Sequence, residues 1–324
     1  MIHGIRCATL ALMAGICVAG TAGAAEDAYP NKSIRLIVPF TVGGGSDAAA
    51  RYFSEKLTPL LGQTVVVENR AGGASGSIGS IYVKNAPADG YTVLVGSSSP
   101  IVINPLAVKS MHYDPIKDFK PVYGLTKNTT AIVVSSESSY KTLADLINAS
   151  KKRPNMNAGT ASAGFHLATN WFGEVADFKF THVNYKGLSQ VLTDVAGQNL
   201  DWAIVDLAGA TPMIQGGRLR ALAVTDKRRH PRFPDVPTVV ESGYPSYVYN
   251  TWTSFHARSE TPDKVVATLA AAIDKVIHSD ESKAYAERVG TELLPLDPNA
   301  FAAYQKEEFE RFTKVAKSTG FEPK

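Results

Sequence analysis

The stretch "RLIVPFTVGGGSDAAAR", Arg35 to Arg51, decides the fold. An apolar run feeds three bare glycines and then an alanine-rich helical pattern. A continuous apolar run is what a strand buried on both faces requires. The helix that follows begins with exposed backbone N–H groups and a positive dipole end, a site for an anion. Three anions fit such a place: the pyrophosphate of a dinucleotide, the oxyanion of a reaction intermediate, or the carboxylate of a small solute.

Outward from this stretch, strand and helix patterns alternate almost throughout, which predicts an α/β fold of mainly parallel sheets. Strands are expected at Ile34–Phe40, Thr64–Glu68 and Tyr91–Val95, and each runs into a Gly/Ser loop. Between the first two, Ala50, Phe53, Leu57 and Leu60 recur at helical spacing, with Gly62 as the stop. The same plan restarts with strands at Ala131–Ser135, Met156–Ala158, Thr181–Tyr185, Trp202–Asp206 and Arg220–Thr225. A helix is expected over Leu143–Lys151, and another opens after Gly159–Gly164. A C-terminal helix carries Phe301, Phe309, Phe312 and Val315, with Gly320 as its stop. Two α/β lobes facing each other across a cleft satisfy this pattern. The carboxyl ends of parallel strands line the ligand crevice in such sheets.

The first residues read as a secretory signal: His3 and Arg6, an apolar stretch from Cys7 to Val18, and the small-residue exit Ala22-Gly23-Ala24. Cleavage is expected near Ala24, leaving a soluble periplasmic protein. Both cysteines fall in that leader, so the mature chain holds no thiolate and no disulfide. Cys17 lacks the small-residue context of a lipid anchor. With Arg6 removed the balance is 32 basic to 30 acidic residues, which argues against nucleic acid, whose partners present a clustered positive face. The basic run Lys227-Arg228-Arg229-His230-Pro231-Arg232 reads as a solvated loop, with a docking patch for a membrane partner as the alternative.

Gly43-Gly44-Gly45-Ser46-Asp47-Ala48 satisfies G-x-G-x-x-A after a strand, and Glu68 stands where a ribose-binding acid belongs. An exported chain, however, meets little nicotinamide cofactor. A nucleophile elbow has its nearest match at Thr160–Gly164, but Thr160 replaces the first glycine, and Ser162 reads more simply as a helix N-cap. No catalytic residue, no cofactor and no metal site is expected, since the seven histidines are scattered with no H-x-x-x-H pair. Asp201 and Asp206 flank a strand on opposite faces, so Asp206 alone is placed to face a cleft; a buried aspartate satisfied by backbone amides is the competing reading. There remains the non-covalent capture of an anion by helix starts, assisted by hydroxyls of Ser46, Ser75, Ser97, Ser98, Thr160 and Ser162.

The segments "GGGSDAAAR", "LGQTVVVENRAGGASGSIGS", "ADGYTVLVGSSS", "GTASAGFHLA", "VNYKG" and "LRALAVTDKRRHPRFPDVPTVVESGYP" resemble the Bug-type (TctC) solute-binding proteins of tripartite tricarboxylate transporters, nearly end to end in the mature chain. The resemblance implies a type II-like periplasmic binding protein, monomeric and not an enzyme. It delivers a small carboxylate to the inner-membrane permease subunits. It implies a first lobe of residues 25–122 with 254–324 and a second of residues 123–253. Crossing strands would hinge them near Val122–Gly124 and Thr251–Ser254. Carried over, the first ligand loop comprises Phe40, Thr41, Val42, Gly43, Gly44, Ser46 and Asp47. Val42 stands where the family has proline, which makes Thr41 and Val42 candidate specificity positions. The second loop, Ala71–Ser77, includes Ala74 and Ser75; the third is Ser97–Ser99. The other lobe would add Thr160, Ser162, Phe165, His166, Tyr185 with Lys186, and Asp206. His166 also reads as a helix-packing residue. An amino-acid ligand would place its ammonium at Asp206. An aromatic dicarboxylate such as terephthalate would use a flat apolar slot near Phe165, Tyr185 and Val42. A sensor partner that presents solute to a membrane kinase is a further alternative to transport.

Overall fold

The apolar run forms β1 (Ile34–Val38), and four of its five residues are buried. In the computed structural model, which describes Met1 and residues 29–323, its two faces enter different cores. Ile37 joins one hydrophobic cluster, while Ile34, Leu36 and Val38 join another. This two-sided burial is why the run shows no alternation. The expected secretory signal and its cleavage near Ala24 lie outside the described residues.

The first lobe continues with α1 (Gly45–Leu61), β2 (Val65–Asn69), a turn at Ala74–Gly76, α2 (Ser77–Lys84), β3 (Thr92–Ser97), a wide turn at Ser99–Ile103 and α3 (Asn104–Ala107). Then β4 (Phe119–Ser135) crosses into the second lobe. There follow α4 (Leu143–Lys152), β5 (Asn157–Thr160), α5 (Ala163–Val175), β6 (Thr181–Asn184), α6 (Leu188–Ala196), β7 (Trp202–Asp206), α7 (Leu207–Gln215) and β8 (Leu219–Val224). The chain returns along β9 (Asn250–Arg258) and ends with α8 (Asp263–Ile277), α9 (Asp280–Val289), β10 (Glu292–Leu293) and α10 (Pro298–Ser318).

The strand order is β2-β1-β3-β9-β4-β7-β5-β6, with β8 and β10 also paired to β4. Each lobe holds a parallel trio, β2-β1-β3 or β7-β5-β6. The seam between them, β9 and β4, is antiparallel to its neighbours. Leu36 sits between Val67 and Val93 in register. β4 pairs with β9 from Phe119 to Thr129, then exchanges partners and pairs with β7 and β8 from Thr130 to Ser135.

β4 starts twelve residues before the expected strand at Ala131. Its first half was obscured by Pro121, Gly124, Lys127 and Asn128, which break any apolar period. Register irregularities at Pro121/Tyr123 and Gly124/Thr126 absorb them. Likewise β9 buries Thr251, Thr253, Ser254 and His256 at the centre of the sheet, so no polar face marks it as a strand.

Helix ends follow local chemistry. Gly62 ends α1 at φ 64°. Thr142 and Asp145 form a reciprocal capping box on α4. α10 lays Phe301 and Phe312 onto the largest core cluster, which holds Trp252 of the seam and Phe172 and Trp202 of the second lobe. The chain's last helix thus seals the junction between lobes.

The run Lys227–Arg232 is not wholly a solvated loop, as its charge suggested. His230 is buried and its Nε2 pairs with the Gly290 carbonyl at 3.1 Å, while Arg232 donates to the Arg288 carbonyl at 2.7 Å. Carbonyls at a helix C-terminus attract such donors, which explains why two basic residues dock on the end of α9.

Candidate functional site

The loop after β1 turns through Gly43 at φ 92°, a conformation that favours glycine. Gly44 is the N-cap of α1, and no side chain caps that helix. The amides of Gly45, Ser46 and Asp47 therefore have no intrahelical acceptor. The Asp47 carboxylate folds back instead. It accepts from Gly43 N at 3.1 Å, Arg51 Nε at 3.0 Å and Asn69 Nδ2 at 2.9 Å. Burial pushes its carboxyl up, but the bonds from Arg51, Asn69 and Gly43 outweigh this and hold it below the usual range. Asp47 braces the loop.

The start of α5 is arranged differently. Ser162 caps it, its Oγ accepting from Phe165 N at 3.4 Å. Ser75 Oγ, from the first lobe, accepts from Ala163 N at 2.6 Å. Ser99 Oγ accepts from Gly164 N at 3.2 Å and donates to Ser162 Oγ at 3.0 Å. The amides expected to hold an anion here are thus occupied by serines reaching across the cleft. The opposite lobe answers the same need that a ligand would.

Between these two helix starts lies a cavity of about 590 Å³, counting space open to solvent. Of the candidate residues it brings together Phe40, Thr41, Gly44, Ser46, Asp47, Ser97, Ser98, Ser162, Phe165 and Asp206. A second, wider cavity shares Phe40, Thr41 and Ser162 with it and adds Ser75, Thr160, His166, Tyr185 and Lys186. Two candidates stand apart. Val42 is 60% exposed and lines neither cavity. Gly43 shapes the loop without lining either cavity. Ala74 belongs to the Ala74–Gly76 turn, and its side chain lies outside what is described.

In the second cavity several polar groups are spent within their own lobe. Thr160 Oγ1 donates to Asn184 Oδ1 at 3.0 Å. Tyr185 donates its hydroxyl to Asp194 at 2.5 Å, and burial together with that carboxylate pushes the phenol up to about 12. The His166 ring lies 3.8 Å from that of His182 and 5.4 Å from Phe321, so it packs among aromatics. Glu68, the would-be ribose partner, is taken by Arg70 and Arg35.

The seam strands supply what sequence reasoning missed: Asn128 from β4, and Thr251, Trp252 and Thr253 from β9. Gly187 and Leu188 complete the wall. A polar stretch interrupted by large aromatics, "NTWTSF" at Asn250–Phe255, was the available signal. Gly187 is a close approach: a Cβ there would stand 2.1 Å from Thr41 Oγ1 of the other lobe.

Asp206 is the N-cap of α7, yet its carboxyl does not cap that helix. It turns into the cavity, where Oδ1 accepts from Thr251 Oγ1 at 2.6 Å. Oδ2 lies 3.9 Å from where a Cβ on Gly45 would stand, beside the open start of α1. Burial pushes its carboxyl up to about 6 despite the Thr251 bond. The first cavity therefore carries two acids and no Lys, Arg or His, and of the acids only Asp47 has an arginine partner. Among the described residues no cluster of three His, Cys, Asp or Glu is placed to hold a metal, and no helix is long and apolar enough to cross a membrane.

The sequence profile described as "Tripartite tricarboxylate transporter family receptor" (TctC) matches residues 49–321. The chain belongs to this family. Protein BugT of Bordetella pertussis is 33% identical over 94% of this chain and 96% of its own. The structure titled "R. palustris Rpa4515 with adipate" superposes with a TM-score of 0.88 at 32% identity, covering 91% of this chain and all of that one. MatC of Rhodopseudomonas palustris, solved with bound malate, reaches 0.84 at 25% identity over 89% of this chain and 99% of its own. In this TctC-family chain, as the sequence resemblance implied, two α/β lobes face each other across a cleft.

Proposed function

We propose that this TctC-family chain is a periplasmic receptor that captures a small carboxylate between its lobes, without chemistry, and hands it to a tripartite permease. The observation that carries the reading is the open start of α1. Three amides without intrahelical acceptors meet the cavity beside the Ser46 and Ser97 walls. Such a helix start favours an anion by about 0.3–1 kcal/mol, and up to ~2 when partly buried. Apolar walls from Phe40, Phe165, Leu188 and Trp252 exclude water around it. Two similar proteins solved with adipate and with malate support the ligand class. The export signal read from the N-terminus supports the compartment. The lobes are residues 25–122 with 254–324, and 123–253, hinged where the seam strands cross.

The test is direct. A thermal-shift and calorimetric screen of aliphatic and aromatic carboxylates on the purified mature chain raises the melting temperature with the true ligand by mass action. Gly45→Pro then removes one α1 amide at the position where proline is tolerated, and Gly44 already has the extended ψ of 170° that precedes proline comfortably. Binding weakens about tenfold relative to Gly45→Ala, which keeps the amide and carries the same first side-chain carbon toward Asn128 and Asp206, one donated bond to a charged group. Equal binding by the proline and alanine variants would place the anion elsewhere.

A further inference from the structure

Asp206 has no place in a site built only to attract a carboxylate. A bare acid within reach of the anion's seat repels it, and desolvating a carboxylate without a partner is costly. The residue occupies the cap position of α7 yet leaves that helix uncapped. Its one hydrogen bond comes from Thr251, and no basic side chain pairs with it among the described residues. Its second oxygen faces the first residue of α1. The side-chain amide nitrogen of Asn128 lies 3.7 Å from the same Gly45 Cβ position, so Asp206 and a donor both stand beside the first residue of α1.

From this geometry we infer that Asp206 selects a carboxylate bearing a hydrogen-bond donor on the adjacent carbon, a 2-amino or 2-hydroxy acid, over the same acid without it. The inference rests on the carboxylate-binding reading above. The donor must be adjacent rather than distal because Asp206 Oδ2 sits beside the α1 start, not across the cavity from it. A ligand with its carboxylate on the Gly45–Asp47 amides holds a 2-substituent a bond or two away, in reach of Asp206. A plain acid leaves that oxygen buried and unpaired against the ligand's own negative charge. Sites built to bond a ligand's OH or NH reject analogues lacking it through such unpaired groups. The other charged groups nearby do not alter this. Asp47 is held by Arg51, Tyr249 faces Asp206 from the segment before β9, and Glu308 is paired with Arg311 on α10.

Calorimetry on the purified mature chain near pH 8, with Asp206 ionised, decides the matter. The probes are matched: glutarate against 2-hydroxyglutarate and glutamate, and adipate against 2-aminoadipate. The donor-bearing member of each pair is expected to bind at least about tenfold tighter. In Asp206→Asn that preference falls to about threefold or less, and the plain acids bind more tightly than they do to the native chain. Plain acids that match their substituted partners on the native chain would overturn the inference while leaving the carboxylate reading intact. So would a preference that survives in Asp206→Asn. If no carboxylate binds at all, the reading beneath it fails as well. The native-chain comparison stands even should the variant fold poorly.

Discussion

Two aspartates border one cavity under opposite electrostatics. Asp47 has its charge answered by Arg51, Asn69 and the Gly43 amide. Asp206 has a single hydroxyl and sits at about 6 against an ordinary 3.8, burial being the cause. The folded state thus holds a proton on Asp206 that the unfolded chain has released. The resulting stabilisation is complete below about pH 4 and is lost as pH rises through about 6. Asp206→Asn keeps the shape without the charge. Its ligand-free melting temperature is expected to exceed the native value by a few degrees near pH 8, equivalent to about 3 kcal/mol at most, and to match it near pH 4. A variant that melts lower at both values would show that the carboxylate is paired in the free protein. The acid was visible in the sequence as facing a cleft. Its lack of a partner was not, because that depends on Thr251 and Asn128 arriving along strands distant in sequence.

The elements that start at the cleft, α1 and α5, carry the same signal: glycines and a serine at the end of a parallel strand. Packing distinguishes them. The α5 amides bind Ser75 and Ser99 of the other lobe, whereas those of α1 remain open. Gly187, just before α6, lets the lobes meet, since Thr41 fills the space a side chain would need. Gly187→Ala is expected to hold the lobes apart and weaken ligand binding by about tenfold or more, an overpacking cost of roughly 1–3 kcal/mol. Thr41→Ala in the same chain relieves the overlap and restores much of the affinity. The double-mutant coupling measured by calorimetry checks this. Additive losses would mean that the two residues do not meet in the bound state.

At the scale of the molecule, two parallel trios share an antiparallel seam of β4 and β9, and the exchange of partners at Thr129/Thr130 marks where one sheet gives way to the next. Nearer the proposed hinge at Val122–Gly124, register irregularities at Pro121/Tyr123 and Gly124/Thr126 interrupt the β4–β9 ladder. Ligand-driven closure about the seam is expected to shrink the radius of gyration in small-angle scattering, by about an ångström, a hinge motion of the usual kind for two-lobed receptors. An unchanged radius with a saturating ligand would argue for a rigid, preclosed cleft. The cross-lobe serine bonds and the continuous core under α10 tie the two lobes together.

The alternating strands and helices, the glycine turns at their carboxyl ends, the Ser162 cap and the ring of hydroxyls were all legible in the order of residues. Each follows from backbone preferences and periodicities that act over a few neighbours. The seam strands followed only from the family resemblance, because buried polar residues and a proline erase any period. Which helix start stays open to a ligand, and which acid stays unpaired, were decided only when distant strands met. Those outcomes depend on which donor reaches which acceptor across the cleft, and no local preference encodes that.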